Sequence, residues 1–207
     1  MKKGLIFAGG EFSEPQDFAD ILAEKPIIVC ADSGYDSAAA LGIAPDVIIG
    51  DMDSVSRKLP AGIKQIKLNR EKDDTDTQSC IDYLIEECCG EITLLGALGG
   101  RTDHELANIM LTVYAAKKGA KLIIKTKDTE VFAVSGIAEI SGNIGDLLSI
   151  IPIFSDAEGI YLSGLKYPLN NATVEIGKTV GISNEFISEK ATVKVKKGMV
   201  IAVRTKR

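Results

Sequence analysis

A single histidine, no C-x-x-C pair and no basic surplus rule out several functions for this chain of 207 residues. A zinc site needs sets of cysteine and histidine at ligand spacing. His104 stands alone, and Cys30, Cys80, Cys88 and Cys89 have the wrong separations. The thiols therefore read as reduced, structural small hydrophobes, Cys30 in an apolar run and Cys80 and Cys88 on one helical side. With a net charge of −5, the chain lacks the basic face that nucleic acid or an anionic membrane requires. A small anion is still compatible with it, because a divalent metal and local arginines offset the repulsion. No stretch approaches the roughly 20 apolar residues that span a bilayer. Met1-Lys2-Lys3 has the look of a signal-peptide start, but the apolar run after it is short and meets Glu11, Glu14 and Asp17. It reads as a first strand, and the expected location is the cytoplasm. There is no low-complexity tract, no G-K-[ST] of a Walker loop and no nucleophile elbow.

What the sequence does hold falls into two grammars. Up to about residue 125, short apolar runs alternate with helical patterns. The runs Leu5–Ala8, Ile27–Ala31, Val47–Ile49, Ile66–Leu68, Ile92–Leu95 and Leu122–Ile124 are of buried-strand type. Phe18–Leu22, Tyr35–Leu41, Thr75–Cys88 and Asp103–Lys118 read as helices. Ile81, Leu84, Ile85 and Cys88 form a stripe at i, i+3, i+4, i+7, and Leu106, Ile109, Met110, Val113 and Tyr114 form another. Strands separated by helices imply a parallel sheet. From about Asp128, glycine-punctuated runs replace the helices: Glu130–Val134, Ala138–Ile140, Leu147–Ile151, Ile160–Ser163, Thr173–Ile176, Thr192–Val195 and Val200–Arg204. These imply an antiparallel β-sandwich or a partly closed barrel. The expectation is an α/β domain over 1–127 followed by an all-β domain over 128–207.

Acidic residues gather in four turns: Asp32-Ser33-Gly34, Gly50-Asp51-Met52-Asp53-Ser54, Asp73-Asp74-Thr75-Asp76 and Gly99-Gly100-Arg101-Thr102-Asp103-His104. Each lies where a strand ends or a helix begins, and an open α/β sheet places its site at the carboxyl ends of its strands. In extended chain, Asp51 and Asp53 project to the same side and aim two carboxylates at one cation. Mg²⁺ suits that arrangement, since it takes one or two carboxylates plus substrate phosphates. The plainer reading of D-x-D is a turn whose aspartates bond backbone amides.

Thr75 with Gln78, and Thr102 with Glu105, fit capping boxes. An acid in a first turn also steadies a helix through its dipole, by about 0.3–1 kcal/mol. That accounts for an acid or two per helix and leaves Asp73 and Asp74 crowded beside Asp76 unexplained. Gly99-Gly100 lets backbone amides approach a phosphate, with Arg101 adding a forked contact; Gly9-Gly10 is a weaker cue of the same kind. His104 reads either as structural or as a nucleotide contact, and nothing names a general base.

With these residues in view, the chain resembles the bacterial thiamine pyrophosphokinases. The resemblance rests on A-D-S-G-Y-D, P-D-V-I-I-G-D-M-D-S, D-D-T-D-T-Q, G-A-L-G-G-R-T-D-H-E-L-A-N, G-L-K-Y-P-L and G-I-S-N-E-F, in order, almost end to end. It implies transfer of pyrophosphate from ATP to the hydroxyl of thiamine, giving thiamine diphosphate and AMP, with Mg²⁺ as cofactor. It also implies a Rossmann-like nucleotide-binding catalytic domain, a β-sandwich that binds thiamine, and a homodimer with sites shared between subunits. By the same resemblance Asp51, Asp53 and Asp76 are the metal and phosphate acids, and Asp103 joins them as catalytic. Asp32, Asp74, Gln78, Arg101 and His104 line the nucleotide cleft, while Ser183, Asn184 and Tyr167 meet thiamine. Animal relatives carry tryptophan where this sequence has Tyr167, so a stacking ring is kept.

Three other readings compete. A pyrophosphokinase acting on a hydroxymethyl pterin fits the ATP motifs but leaves G-L-K-Y-P-L and G-I-S-N-E-F unused. A D-x-D glycosyltransferase leaves D-D-T-D-T and G-G-R-T-D-H unused. A silent thiamine or nucleotide sensor should have lost acidic positions, and all are present.

Overall fold

The computed structural model describes residues 1–11, 14–69 and 73–207. The chain is mixed α/β and divides into two compact units, Met1–Lys127 and Asp128–Arg207. In the first, β1 (Lys2–Phe7) leads through a 3₁₀ turn (Pro15–Phe18) and α1 (Ala19–Ala23) to β2 (Ile27–Ala31). Then follow α2 (Gly34–Ala40), β3 (Val47–Gly50), β4 (Lys64–Lys67), α3 (Asp76–Glu86), β5 (Cys89–Leu95), α4 (Thr102–Lys117) and β6 (Lys121–Lys125). Their order in space is β6-β5-β1-β2-β3-β4, every neighbour parallel. The order reverses between β1 and β5, which makes a crevice at their carboxyl ends.

Burial explains why the apolar runs became strands. Leu5, Ile6, Phe7, Ile48, Ile49, Ile92 and Leu94 are almost wholly buried, as expected for parallel strands covered on both faces. Each such side chain contributes about 1.5–3 kcal/mol of transfer free energy. β4 is the exception: it closes the sheet edge with Lys64 and Lys67, and three of its four residues are exposed.

Two helical stripes need correction. In α3, Cys80, Ile81 and Leu84 are buried, but Cys88 lies past the helix end at φ 64° and is exposed. In α4 the buried residues are Leu111, Thr112, Val113 and Ala115, while Leu106 is 58% exposed. Residues 102–110 are exposed or half-buried, so only the carboxyl-terminal half of α4 carries a buried face. Tyr114 donates its hydroxyl to Asp82 Oδ1 at 2.7 Å, and Lys118 Nζ donates to the same oxygen at 2.7 Å, tying α4 to α3.

The second unit holds β7 (Thr129–Ser141), β8 (Leu147–Pro152), β9 (Ala157–Ser163), β10 (Leu169–Val174), β11 (Asn184–Glu185) and β12 (Lys190–Thr205). β12 pairs antiparallel with β7 along its whole length, with β9 over Thr192–Lys197 and with β8 over Val200–Thr205. β10 pairs with β9 and β11 with β8. The runs 130–134 and 138–140 are therefore one strand, as are 192–195 and 200–204. Gly136 at φ 84° and Gly198 at φ 89° are where the two strands bend, and their mutual register shifts between Val195 and Val200. The glycines mark a bulge inside continuous strands rather than turns between separate ones. β10 likewise starts earlier than its apolar run, at Leu169, passing through two asparagines on an edge strand.

A buried ion cluster lies within this unit. Asp146, 2% exposed, accepts from Asn143 N at 2.9 Å, Arg207 N at 3.3 Å and Arg204 Nη2 at 3.2 Å. Arg204 Nη1 reaches Glu130 at 3.3 Å, and Arg204 Nε is buried with no partner among the described residues. Among the described residues no helix is long and apolar enough to cross a membrane.

Candidate functional site

A cleft of about 530 Å³ opens at the crevice between β1 and β5, within the size range of small-molecule sites. The turns after four parallel strands line it: Ala8–Gly10 after β1, Asp32 and Ser33 after β2, Asp51 and Ser54 after β3, and Gly96–Leu98 with Arg101 after β5. The starts of α3 and α4 complete it with Asp74–Thr77, His104, Glu105 and Asn108. Asn108 Nδ2 donates to Ala97 O at 2.9 Å and fixes the turn after β5.

Two carboxylates of the lining, Asp32 and Asp51, gather with a third, Asp53. One oxygen each from Asp32, Asp51 and Asp53 falls within 4.8 Å of the others, the first two half-buried and the third exposed. The chain brings them together by an unexpected route. β3 stops at Gly50, and Met52 has φ 66°, so residues 51–53 form a turn rather than extended chain. Asp53 N donates to Asp51 Oδ1 at 3.1 Å. The Met52 side chain packs against the core cluster that includes Phe7, Cys30 and Ile48. Burial of Met52 accounts for its left-handed backbone, and the turn gathers the acids on either side of it. The plain turn reading of D-x-D and the clustering of its carboxylates are thus both correct.

Asp32 joins them because β2 and β3 are parallel neighbours. Its amide donates to Ile49 O at 2.9 Å, and a Cβ on Gly50 would stand 2.9 Å from Asp32 Cβ. Only glycine allows that approach. Asp32 itself sits at φ 46°, and its Oδ1 is buried without a hydrogen-bond partner among the described residues. Burial raises its carboxyl above the usual range, and the charges of Asp76 and Asp51 push the same way, against a nearby Ser54 hydroxyl and its link to Ser33. Such an atom is uncompensated in the protein alone and fits a cation. Asp76, expected in the metal trio, instead lines the cleft from the first turn of α3, outside the trio.

The remaining candidates divide between contact and support. Thr75 caps α3, accepting from Gln78 N at 3.2 Å, but the Gln78 side chain donates to Asp74 Oδ1 at 2.6 Å and is itself no part of the cleft lining. Arg101 and His104 line the cleft. Asp103 instead grips the Arg101 guanidinium, with Nε–Oδ1 at 3.2 Å and Nη2–Oδ2 at 2.7 Å. That hydrogen bond, with the guanidinium charge, holds the Asp103 carboxyl below the usual range.

The expected Thr102 cap does not form, because α4 takes Arg101 as its N-cap. Glu105 Oε1 instead accepts from both Gly99 N, at 2.7 Å, and Gly100 N, at 2.8 Å. The glycine amides read as phosphate donors are thus engaged by a side chain of α4. Sequence reasoning placed Glu105 in a capping box, and only its spacing from the glycine pair hinted at this contact.

In the second unit, Tyr167 is 61% exposed, which contradicts a role as core filler. Asn184 is 3% exposed, and its amide is committed: Oδ1 accepts from Tyr167 N at 2.9 Å and Nδ2 donates to Tyr167 O at 2.7 Å. It clamps the backbone that carries the tyrosine. Ser183 is exposed at φ 57°, held by its amide to Ser149 Oγ at 2.9 Å.

Known proteins share this fold. Residues 18–124 match the family profile of the thiamin pyrophosphokinase catalytic domain, and residues 137–200 that of its vitamin B1 binding domain. Thiamine pyrophosphokinase of Bacillus subtilis is 31% identical over 212 residues, covering 99% of each chain. Thiamine pyrophosphokinase 1 of Oryza sativa subsp. japonica is 29% identical over 210 residues, covering 86% of this chain and 78% of the relative. The crystal structure of the Bacillus subtilis enzyme superposes with a TM-score of 0.90 at 28% identity, over 100% of both chains.

Proposed function

This chain belongs to the thiamine pyrophosphokinase family, and from that premise we propose that its cleft binds ATP with Mg²⁺ and passes pyrophosphate to thiamine. The thiamine hydroxyl oxygen bonds to the β-phosphorus and its proton passes to water, while the bond from that phosphorus to the oxygen bridging to the α-phosphate breaks and AMP leaves with that oxygen. The observation that carries this reading is the trio Asp32, Asp51 and Asp53, whose buried Asp32 Oδ1 has no protein partner among the described residues. Three acids so close repel one another unless they face a cation. A Mg²⁺ held by these acids would supply positive charge to the phosphate oxygens.

The chain's own groups then have distinct tasks. Asp51 and Asp53 would hold the metal with Asp32, and Asp76 adds a further carboxylate to the cleft lining. Arg101, oriented by Asp103, and His104 contact the nucleotide, with Asp74 held in place by Gln78. Such positioning suffices for phosphoryl-type transfer without a strong base. The first unit is the nucleotide-binding catalytic domain, and its parallel strands with intervening helices support a Rossmann-like description. The second is the thiamine-binding domain, and its antiparallel strands support a β-sandwich. Incubation with ATP, Mg²⁺ and thiamine should yield AMP and thiamine diphosphate. ADP with thiamine monophosphate, turnover only with a pterin, or binding without turnover would overturn the assignment.

Tyr167 supplies the ring against thiamine, its backbone fixed by Asn184, and Ser183 adds a hydrogen bond. Stacking adds about 0.5–1.5 kcal/mol beyond area burial, and the thiazolium charge over the ring contributes a comparable amount. Tyr167→Ala is therefore expected to raise the KM for thiamine about ten-fold with the KM for ATP unchanged, and Tyr167→Phe to be mild. An unchanged thiamine KM in Tyr167→Ala removes the ring from the site.

We also propose a homodimer, supported by exposed apolar side chains in the second unit, among them Ile144, Phe154 and Val180, each more than half exposed. Sedimentation velocity at micromolar concentration should give twice the chain mass; a monomer would reject the assembly.

A further inference from the structure

We propose that Asp36, outside the cleft, is a positioning residue that sets the geometry of the Asp32–Asp51–Asp53 cluster. The proposal rests on the metal reading of that cluster. Asp36 sits on α2, four residues after Asp32, and its two carboxylate oxygens reach across to the segment that follows Asp53. Oδ2 accepts from Ser56 N at 2.8 Å and from Ser56 Oγ at 2.5 Å, and Oδ1 accepts from Arg57 N at 2.9 Å. Among the described residues these are the side-chain hydrogen bonds that hold the backbone amides of Ser56 and Arg57.

The consequence follows from connectivity. Asp32 is fixed to α2 from one side, since Tyr35 N donates to Asp32 O at 3.1 Å and Asp36 N to Ser33 O at 3.0 Å. Asp51 and Asp53 belong to a turn with no strand or helix of its own. That turn is anchored at its start by β3, through Asp32 N on Ile49 O, and at its end by Asp36. Inside it, Met52 and Val55 pack on the core cluster. The same short helix therefore holds the turn that carries Asp32 and pins the loop that carries the other two. Burial pushes the Asp36 carboxyl up, but the Ser56 and Arg57 hydrogen bonds outweigh it and hold it below the usual range. The charged form, the one that accepts all three bonds, is the form that persists. Residues that orient ligating carboxylates are worth 10–100-fold in metal affinity in other sites.

The test is a titration of the whole protein with Mn²⁺ alone, followed by loss of the free-ion EPR signal, beside thermal melting. Asp36→Asn should raise the half-saturating Mn²⁺ concentration about ten-fold. Ser56→Ala removes one of the three bonds and leaves both backbone donors, so it should shift the same quantity about three-fold and serves if Asp36→Asn does not fold. In both variants activity should recover as Mg²⁺ is raised. Asp51→Asn is the control for the metal reading. If it shifts Mn²⁺ binding while Asp36→Asn and Ser56→Ala bind as wild type, Asp36 merely staples a loop and the proposal fails. If Asp51→Asn itself binds Mn²⁺ as wild type, the metal reading falls and the proposal with it.

Discussion

Asp51→Asn is expected to lower kcat about 10²–10³-fold, and Asp32→Asn to do the same while leaving the melting temperature unchanged or higher. The magnitude is that of removing one preorganised electrostatic contact from a site where charge moves during the reaction. The divergence in stability is the more telling part. Asp32 carries a buried oxygen without a partner among the described residues and feels the charges of Asp51 and Asp76. Its carboxyl is raised in the folded protein, so the folded state holds its proton more tightly than the unfolded chain. By linkage, stability falls as pH climbs from the ordinary carboxyl range through the raised value, and above it the whole penalty is in place. At neutral pH ionised Asp32 therefore costs stability, and asparagine relieves that cost. Steady-state kinetics across a Mg²⁺ series and thermal melting at pH 5 and pH 8 check both halves. Near-normal turnover in the two variants, with an unchanged Mg²⁺ requirement, would remove the trio from the mechanism.

The largest loss of stability is expected far from the reaction, at Asp146. Asp146→Ala should destabilise the second unit by about 3 kcal/mol, the low end for breaking a buried ion pair. The low end applies because the open pocket lined by Glu189, Lys190 and Arg204 admits water to the arginine's side. Removal of the carboxylate strands Arg204, which already has a buried Nε without a partner, on Glu130 alone. Burial pushes the Asp146 carboxyl up, yet the Asn143 and Arg207 amides and the Arg204 guanidinium hold it below the ordinary range. That stabilisation is complete above the ordinary carboxyl value and is lost as pH falls through the lowered one. Wild type and Asp146→Ala should therefore converge in stability toward strongly acidic pH. Denaturant melts at pH 7 and pH 3 measure the gap; equal stability at pH 7 would show that the cluster contributes nothing.

How much of this was legible in the sequence depended on whether the signal was local. The strands of the first unit show plainly because both faces are covered, so Val47–Ile49 reads as an unbroken apolar run. The second unit deceives at Gly136 and Gly198, since a glycine that bends a strand and a glycine that ends one look alike. The acidic turns were visible, but the membership of the trio was not. It depends on β2 lying beside β3 and on Met52 turning its side chain into the core, neither of which is a property of D-x-D. Asn184 shows the same limit: an exposed-looking S-N pair contains one residue whose amide is spent on its neighbour's backbone. Asp36 lay in view as the last letter of A-D-S-G-Y-D, but its three bonds go to residues 20 and 21 positions away.

β12 pairs with three strands that have no pairing with one another in the second unit: β7, β8 and β9. During synthesis, everything from Thr129 to Glu189 must wait for the sixteen residues of β12 before that unit can close its sheet. The first unit has all its strands by Lys125 and can consolidate while the rest is still being made. The two units therefore mature on different clocks. A nascent chain halted just short of Lys190 would carry a finished cleft joined to β7, β8 and β9 without their common partner, the state in which this protein is most exposed to aggregation.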